Sequence, residues 1–298
     1  MHRPAETESA SPRYRGLDVW PPASVLQALF ESQQAGIAAV HTALPAIEAA
    51  ALAAALRLVS TGRLIYVGAG TSGRIAVQDG AELAPTFGWP VERTVLLMAG
   101  GEAALSTGIE GAEDDAEAGR DLAASLGIEA QDVVVGVAAS GGTPYTHACV
   151  TAARQRGALT IGIANVPDSA LLAAAEHAVL LATGPEVIAG STRLKAGTAQ
   201  KATLNLFSTL LMIRLGRTHD GLMVDMTPTN AKLRRRALRM VQDLTGCDAA
   251  IGERAHADCG QHIKSAVLVV RGMQPSAARA LLARHGGHLR AALAEASA

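Results

Sequence analysis

The sequence predicts an α/β protein: one five-stranded parallel sheet in a three-layer domain, with an N-terminal helical arm before it and a small C-terminal helical domain after it. Three observations predict it. Short apolar runs rich in β-branched residues recur at 64–67, 94–98, 133–137, 159–163 and 178–181. Continuous runs of this length suit strands covered on both faces. The intervals between them leave room for the crossover helices that parallel neighbours need. After Ala182 the strand-like runs stop and helical patterns take over.

Residues 1–22 are polar and broken by Pro4, Pro12, Pro21 and Pro22, which predicts an extended arm. From Ala23 to about Ser60 apolar residues recur at helical spacing: Val25, Leu26, Leu29, Phe30, Ile37 and Val40, then, beyond Pro45, Ile47, Ala51, Leu52, Leu56 and Val59. The strands and their crossovers follow. A long apolar helix is expected over 192–215, opened by Ser191-Thr192 as an N-cap pair, and Thr229 is placed to cap a second helix reaching Met240. The stretch 248–298 reads as short helices punctuated by Gly252, Gly260, Gly272 and Gly286-Gly287. These shifts divide the chain into an arm with helices at 1–50, a sheet domain at 51–218 and a helical domain at 219–298.

Composition narrows the function. With 298 residues, 49% of them apolar and 18% charged, the chain can bury a full core. Its net charge is −1 and it holds only 3 Phe, 2 Trp and 3 Tyr, so neither a basic face nor stacking aromatics point to nucleic acid. The basic run from Lys232 to Arg239 reads as a solvated or intersubunit helix face. His41, Pro45, Glu48 and Arg57 interrupt the most apolar region, so no uninterrupted span of about 18 apolar residues suggests a membrane helix. The opening residues lack a signal-peptide core. The cysteines (Cys149, Cys247 and Cys259) are odd in number and scattered, which argues for a reducing cytoplasm rather than a disulfide framework.

Two loops carry the chemistry. The first strand runs into Gly68-Ala69-Gly70-Thr71-Ser72-Gly73-Arg74, formally a dinucleotide fingerprint. The acidic residue expected about 20 positions on, at the end of a second strand, is missing. The hydroxyls of Thr71 and Ser72 better suit capture of a terminal phosphate by side chains and helix N-terminal amides. The third strand runs into Ala138-Ala139-Ser140-Gly141-Gly142-Thr143-Pro144, a second loop of the same design. Hydroxyl–glycine loops at the carboxyl ends of neighbouring strands converge on one crevice. His256, Cys259 and His262 have a metal-like spacing, but no Cys-x-x-Cys partner accompanies them and the segment looks helical, so no metal site is expected. Ser72 and Ser140 do not stand in a Gly-x-Ser-x-Gly elbow, so a Ser-His-Asp hydrolase has no support.

The paired loops resemble the sugar isomerase (SIS) domain, a phosphosugar-binding fold. Four further segments sharpen this: Asp79-Gly80-Ala81-Glu82-Leu83-Ala84-Pro85-Thr86-Phe87-Gly88; Glu110-Gly111-Ala112-Glu113-Asp114-Asp115; Gly184-Pro185-Glu186-Val187-Ile188-Ala189-Gly190-Ser191-Thr192-Arg193-Leu194-Lys195-Ala196-Gly197-Thr198-Ala199-Gln200-Lys201; and Leu222-Met223-Val224-Asp225-Met226 with Thr229-Asn230-Ala231-Lys232-Leu233. In this order they resemble the N-acetylmuramic acid 6-phosphate etherases over almost the whole chain, from Thr7-Glu8 onward. The sequence departs from that pattern at Ala81, Leu83-Ala84, Gly142, Gly221 and Gln33-Gln34. The departures touch fine substrate contacts and leave both glutamates and both hydroxyl loops in place.

The resemblance implies removal of the D-lactyl ether from C3 of a phosphorylated amino sugar from the cell wall, by elimination across C2 and C3 and then hydration. The open-chain aldehyde is the electron sink, so no metal, nicotinamide or pyridoxal is implied. Two carboxyl groups suffice, one to protonate the leaving oxygen and one to act as base. By the resemblance Glu82 is the proton donor and Glu113 the second catalytic residue, with Phe87 and Trp89 as an apolar wall. The acidic neighbours Glu110, Asp114 and Asp115 leave open that Glu113 belongs to a helix start. Thr71, Ser72, Ser140 and Thr143, with Ser191 and Thr192, are the phosphate-binding candidates, and Gly70, Gly73 and Lys195 are further substrate-site candidates. The apolar excess of 192–215 and the family's homodimer point to a site completed by a second copy. A phosphosugar isomerase and a non-catalytic phosphosugar sensor are the alternatives; the block from Gly190 to Lys201 disfavours the first, and retention of both glutamates disfavours the second.

Overall fold

All five expected runs are strands in the computed structural model, which describes residues 6–228 and 230–297. They are β1 (Leu64–Gly68), β2 (Thr94–Met98), β3 (Val133–Ala138), β4 (Leu159–Ala164) and β5 (His177–Leu180). Every pairing is parallel and the order is β2-β1-β3-β4-β5. β1, β3 and β4 are buried at every position, which is why they read as unbroken apolar runs and not as alternating ones. β5 begins and ends one residue earlier than the sequence suggests.

The helices are α1 (Pro22–Arg57), α2 (Gly70–Ala81), α3 (Leu83–Phe87), α4 (Ala116–Ser125), α5 (Pro144–Gln155), α6 (Ala170–Ala174), α7 (Lys195–Arg214), α8 (Ala231–Thr245), α9 (Ala249–Asp258), α10 (Ile263–Val270), α11 (Pro275–Arg284) and α12 (Leu289–Ala296). The chain forms two compact units. The first comprises residues up to Ala81 with Glu92–Ser208, and the second Glu82–Val91 with the residues from Thr209 onward.

In the first unit, Ile65, Val67, Leu97 and Val134 pack with Ala123 of α4, Cys149 and Val150 of α5 and Leu171 of α6. Across the sheet, Tyr66 donates its hydroxyl to Asp79 of α2 at 3.0 Å, and Asn205 of α7 donates to the other oxygen of that carboxylate at 2.7 Å. At the foot of the sheet the buried Asp132 receives Arg63 side-chain and backbone donors. Burial alone would raise the Asp132 carboxyl, but the Arg63 bonds outweigh it and hold the pKa below the ordinary value.

α1 runs unbroken through Pro45, which the sequence leaves as a punctuation mark. Pro45 and His41, whose carbonyl loses its partner at the ring, are both exposed, so water can serve that carbonyl. By length and composition α1 could cross a membrane. Ala43, Ile47, Ala50 and Ala54 are instead buried, and the helix packs against β4 and β5. Its other face leaves Leu26, Phe30, Ile37, Leu44, Leu52 and Leu56 exposed.

In the second unit Lys264 is buried and its ammonium donates to Asp225 at 2.6 Å, Gly287 O at 2.7 Å and Gly216 O at 3.2 Å, using all three protons. Asn230, not Thr229, caps α8, its side chain accepting from Leu233 N–H at 3.0 Å; Thr229 lies outside the described residues, as does Ala298. Gly252, expected between helices, lies within α9. Lys232, Arg234, Arg235, Arg236 and Arg239 are exposed while Ala237, Met240 and Val241 are buried, a solvated basic face. His262 caps α10, while Cys259 is buried and its thiol is pushed up by that burial.

Candidate active site

The strand order reverses direction between β1 and β3, because β1 is followed outward by β2 and β3 by β4. At such a switch point the two connections leave toward opposite faces of the sheet and a crevice opens beyond the strand ends. β1 enters α2 through Ala69, so Thr71 and Ser72 sit in the first turn of that helix. The turn is tight: a Cβ on Gly73 would fall 2.7 Å from the Gly68 carbonyl carbon and 2.4 Å from the Met98 sulfur, so only glycine fits.

β3 enters α5 through the second loop. Its backbone is pinned on both sides, since Asn165 N–H donates to Ala139 O and Leu171 N–H to Gly141 O, each at 2.9 Å. Within it Gly142 N–H donates to the Ser140 hydroxyl at 3.2 Å. Thr143 occupies the N-cap of α5 without a side-chain cap bond, leaving its hydroxyl uncommitted to the helix. Pro144 at the first helical position lacks the N–H that would be orphaned there.

A cavity of about 440 Å³ lies at these two loops, lined by Gly70, Thr71, Ser72, Ser140, Gly142 and Thr143. Glu113, Asp114, Gly190, Thr192 and Glu8 also stand in its wall. A volume of this size suits a small ligand. Two helix N-termini, of α2 and α5, border it, and no Lys or Arg stands among its described lining residues. Hydroxyls, amides and helix ends are thus the donors available to an anion.

The acidic run after β2 divides its labour. Asp115 caps α4, accepting from Ala118 N–H at 2.8 Å, while Glu113 and Asp114 line the cavity. The Glu113 carbonyl accepts from Tyr145 N–H at 3.0 Å, tying that turn to α5.

The third wall comes from the loop before α7. Ser191 and Thr192 do not cap α7, which begins at Lys195. The cap is Glu186, a wholly buried carboxylate accepting from Ala196 N–H at 2.9 Å and Lys195 N–H at 3.2 Å. Ordinary capping patterns do not point to Glu186, because it stands nine residues before the helix and not beside it. Burial pushes its carboxyl above the ordinary value, against the amides and Lys195, which favour the ionised form. Burial likewise lowers the Lys195 ammonium, with Glu186 opposing. Neither Lys195, Ser191 nor Gly73 is among the cavity's lining residues.

Glu82 belongs to the second unit, at the N-cap position of α3, and makes no side-chain cap bond. Its side chain is exposed, as is that of Glu113, whereas Phe87 and Trp89 are buried in the second unit. The Arg217 guanidinium lies 5.5 Å from the Trp89 ring centroid.

Residues 48–154 match the family model of the glucokinase regulatory protein N-terminal SIS domain, and residues 115–210 that of the SIS domain. The chain is 48% identical to an N-acetylmuramic acid 6-phosphate etherase of Deinococcus radiodurans, over 100% of this chain and 98% of that one. It is 48% identical to an etherase of the same name from Streptomyces avermitilis, covering 97% of this chain and 94% of the other. A third, from Cronobacter sakazakii, is 45% identical over 96% of this chain and 97% of its own. Among solved structures, a phosphoheptose isomerase from Francisella tularensis is 23% identical with a TM-score of 0.48, covering 65% of this chain and 98% of that one.

Glu186 yields a prediction with a definite sign. Glu186→Ala leaves two buried amides unpaired and should cost about 1–3 kcal/mol, read as a lower thermal midpoint. The native carboxyl holds its proton to higher pH than the unfolded one. The contribution of Glu186 to stability should therefore be fully present below the ordinary 4.5 and be lost as pH rises through the raised value. Glu186→Gln cannot ionise and should flatten that slope; an identical slope in wild type and Gln variant would contradict the assignment.

Proposed function

We propose that this chain, which belongs to the N-acetylmuramic acid 6-phosphate etherase family, cleaves the D-lactyl ether of N-acetylmuramic acid 6-phosphate to N-acetylglucosamine 6-phosphate and D-lactate. The observation that carries the reading is the 48% identity over the full chain to a relative of that name. The cavity at the β1 and β3 loops supports it, because its neutral donors suit a phosphate dianion.

In the proposed mechanism Thr71, Ser72, Ser140 and Thr143 hold the 6-phosphate, with Thr192 and Ser191 beside them. Hydroxyls and amides grip all faces of a phosphate without long flexible cations. The open-chain aldehyde acidifies the C2 proton, which a carboxylate removes as lactate leaves from C3. Water then adds to the unsaturated sugar. Glu82 protonates the leaving oxygen and Glu113 serves as the second acid–base group. Remote phosphate binding positions C2 and C3 against these carboxyls.

A proton donor at neutral pH needs a carboxyl shielded from water. Both glutamates are exposed in the single chain, so we assign that shielding to bound substrate and a second copy of the chain. The exposed apolar row Leu26, Phe30, Ile37, Leu44, Leu52 and Leu56 on α1 supports a homodimer. The three free cysteines, two of them buried, suit a reducing compartment, and the cytoplasm is the proposed place of action.

Two measurements test this. Wild-type protein should release D-lactate from the phosphorylated muramic acid, and Glu82→Gln should reduce the rate at least ~10²-fold while keeping sugar-phosphate affinity and thermal midpoint. Near-normal turnover would remove Glu82 from the chemistry, and lost binding at unchanged midpoint would make it a substrate-holding residue. Sedimentation should show a dimer that Phe30→Glu with Leu56→Glu dissociates with loss of activity. A fully active monomer would contradict the shared site.

A further inference from the structure

The cavity has a wall that comes from the far N-terminal end of the described chain. Thr7 is completely buried, and its carbonyl accepts from Gly190 N–H at 3.0 Å. This bond joins the arm to the loop that carries Thr192, across 183 positions of sequence. Its immediate neighbour Glu8 lines the cavity with the phosphate-type loops. The fit is close: Gly190 has φ +75°, and a Cβ there would lie 2.9 Å from a Glu8 carboxylate oxygen. Glycine at 190 thus serves both the turn and the approach of Glu8.

The Glu8 carboxylate is exposed and accepts no hydrogen bond from any described residue. It is not a cap, and it forms none of the chain's described ion pairs. A carboxylate directed at the phosphate would be repelled, so its complement in the cavity is a neutral donor. An N-acetylated sugar offers such donors in its ring hydroxyls and its amide N–H.

We propose that Thr7 and Glu8 form a strap in which Thr7 anchors the arm to Gly190 and Glu8 accepts a hydrogen bond from a hydroxyl or acetamide N–H of the bound sugar. Glu8 then reads the sugar while the β1 and β3 loops read the phosphate. The inference rests on the phosphosugar reading of the cavity and adds a residue to it.

Two probes separate the roles: N-acetylglucosamine 6-phosphate and inorganic phosphate, titrated calorimetrically into wild type, Glu8→Ala and Glu8→Gln, with thermal midpoints recorded. Glu8→Ala should weaken the phosphosugar about tenfold or more, the effect of losing a bond to a charged acceptor. Inorganic phosphate should bind as well as before, or better with one negative charge removed. Glu8→Gln keeps an acceptor oxygen and should recover part of the sugar affinity. Tighter binding of both probes by Glu8→Ala would mean that Glu8 only repels anions, and unchanged binding of both would mean that it touches neither; each overturns the proposal. A wild type that binds phosphate but not the phosphosugar would overturn the functional reading, and Glu8's role with it.

Discussion

Everything at the site depends on one constraint of parallel sheets. Where the strand order turns back on itself, between β1 and β3, the two crossovers must leave the sheet on opposite faces. The two strand ends therefore carry their loops to one crevice with no helix over it. Elsewhere in the sheet, neighbouring strands that continue in one direction send their connections toward the same face and leave no crevice between them. Here the connections part, and each loop opens a helix whose first amides have no partner inside the helix. A ligand bearing negative charge is the natural complement of that arrangement.

The constraint explains the chemistry of the loops and the stiffness around them. A phosphate bound by hydroxyls and amides needs those donors fixed before it arrives, since each freely rotating donor would lose conformational entropy on binding. The Gly73 turn packs on Gly68 and Met98, the Ser140 loop hangs on Asn165 and Leu171, and Glu186 fixes the start of α7 beside Thr192. None of these supports needs to touch the ligand. The carboxyls proposed for the chemistry do not share such supports, because in the single chain Glu82 and Glu113 are both exposed. The proposed binding groups are thus held by the sheet's own connections, and the proposed acid–base groups stand on the segments that follow β1 and β2.

What the sequence reveals follows the range of the interactions involved. The strands are legible because burial on both faces leaves an unbroken apolar run, and the loops because hydroxyls and glycines follow those runs directly. The Glu186 cap is not legible by ordinary capping rules, which look only at the residue before the first turn. Glu8 is still less so: its relation to Gly190 exists only once the arm has folded back across the sheet domain. Pro45 misleads for a different reason, since a ring on the exposed face of a long helix costs less than one in its packed face. The apolar excess expected on α7 is present there as exposed Leu206 and Ile213, and a longer row stands on α1, where alanines fill the buried face and larger residues the exposed one, so that no polar stripe marks which face is which.

The most direct test of the shared phosphate anchor is a double-mutant cycle on Ser72 and Ser140, read as calorimetric affinity for N-acetylglucosamine 6-phosphate. Two hydroxyls on one phosphate should each contribute about 1–3 kcal/mol and couple by at least roughly 0.5 kcal/mol. Both single effects and the coupling should vanish with unphosphorylated N-acetylglucosamine. Strictly additive effects, or losses equally large for the unphosphorylated sugar, would mean that the two strand-end loops do not hold one phosphate.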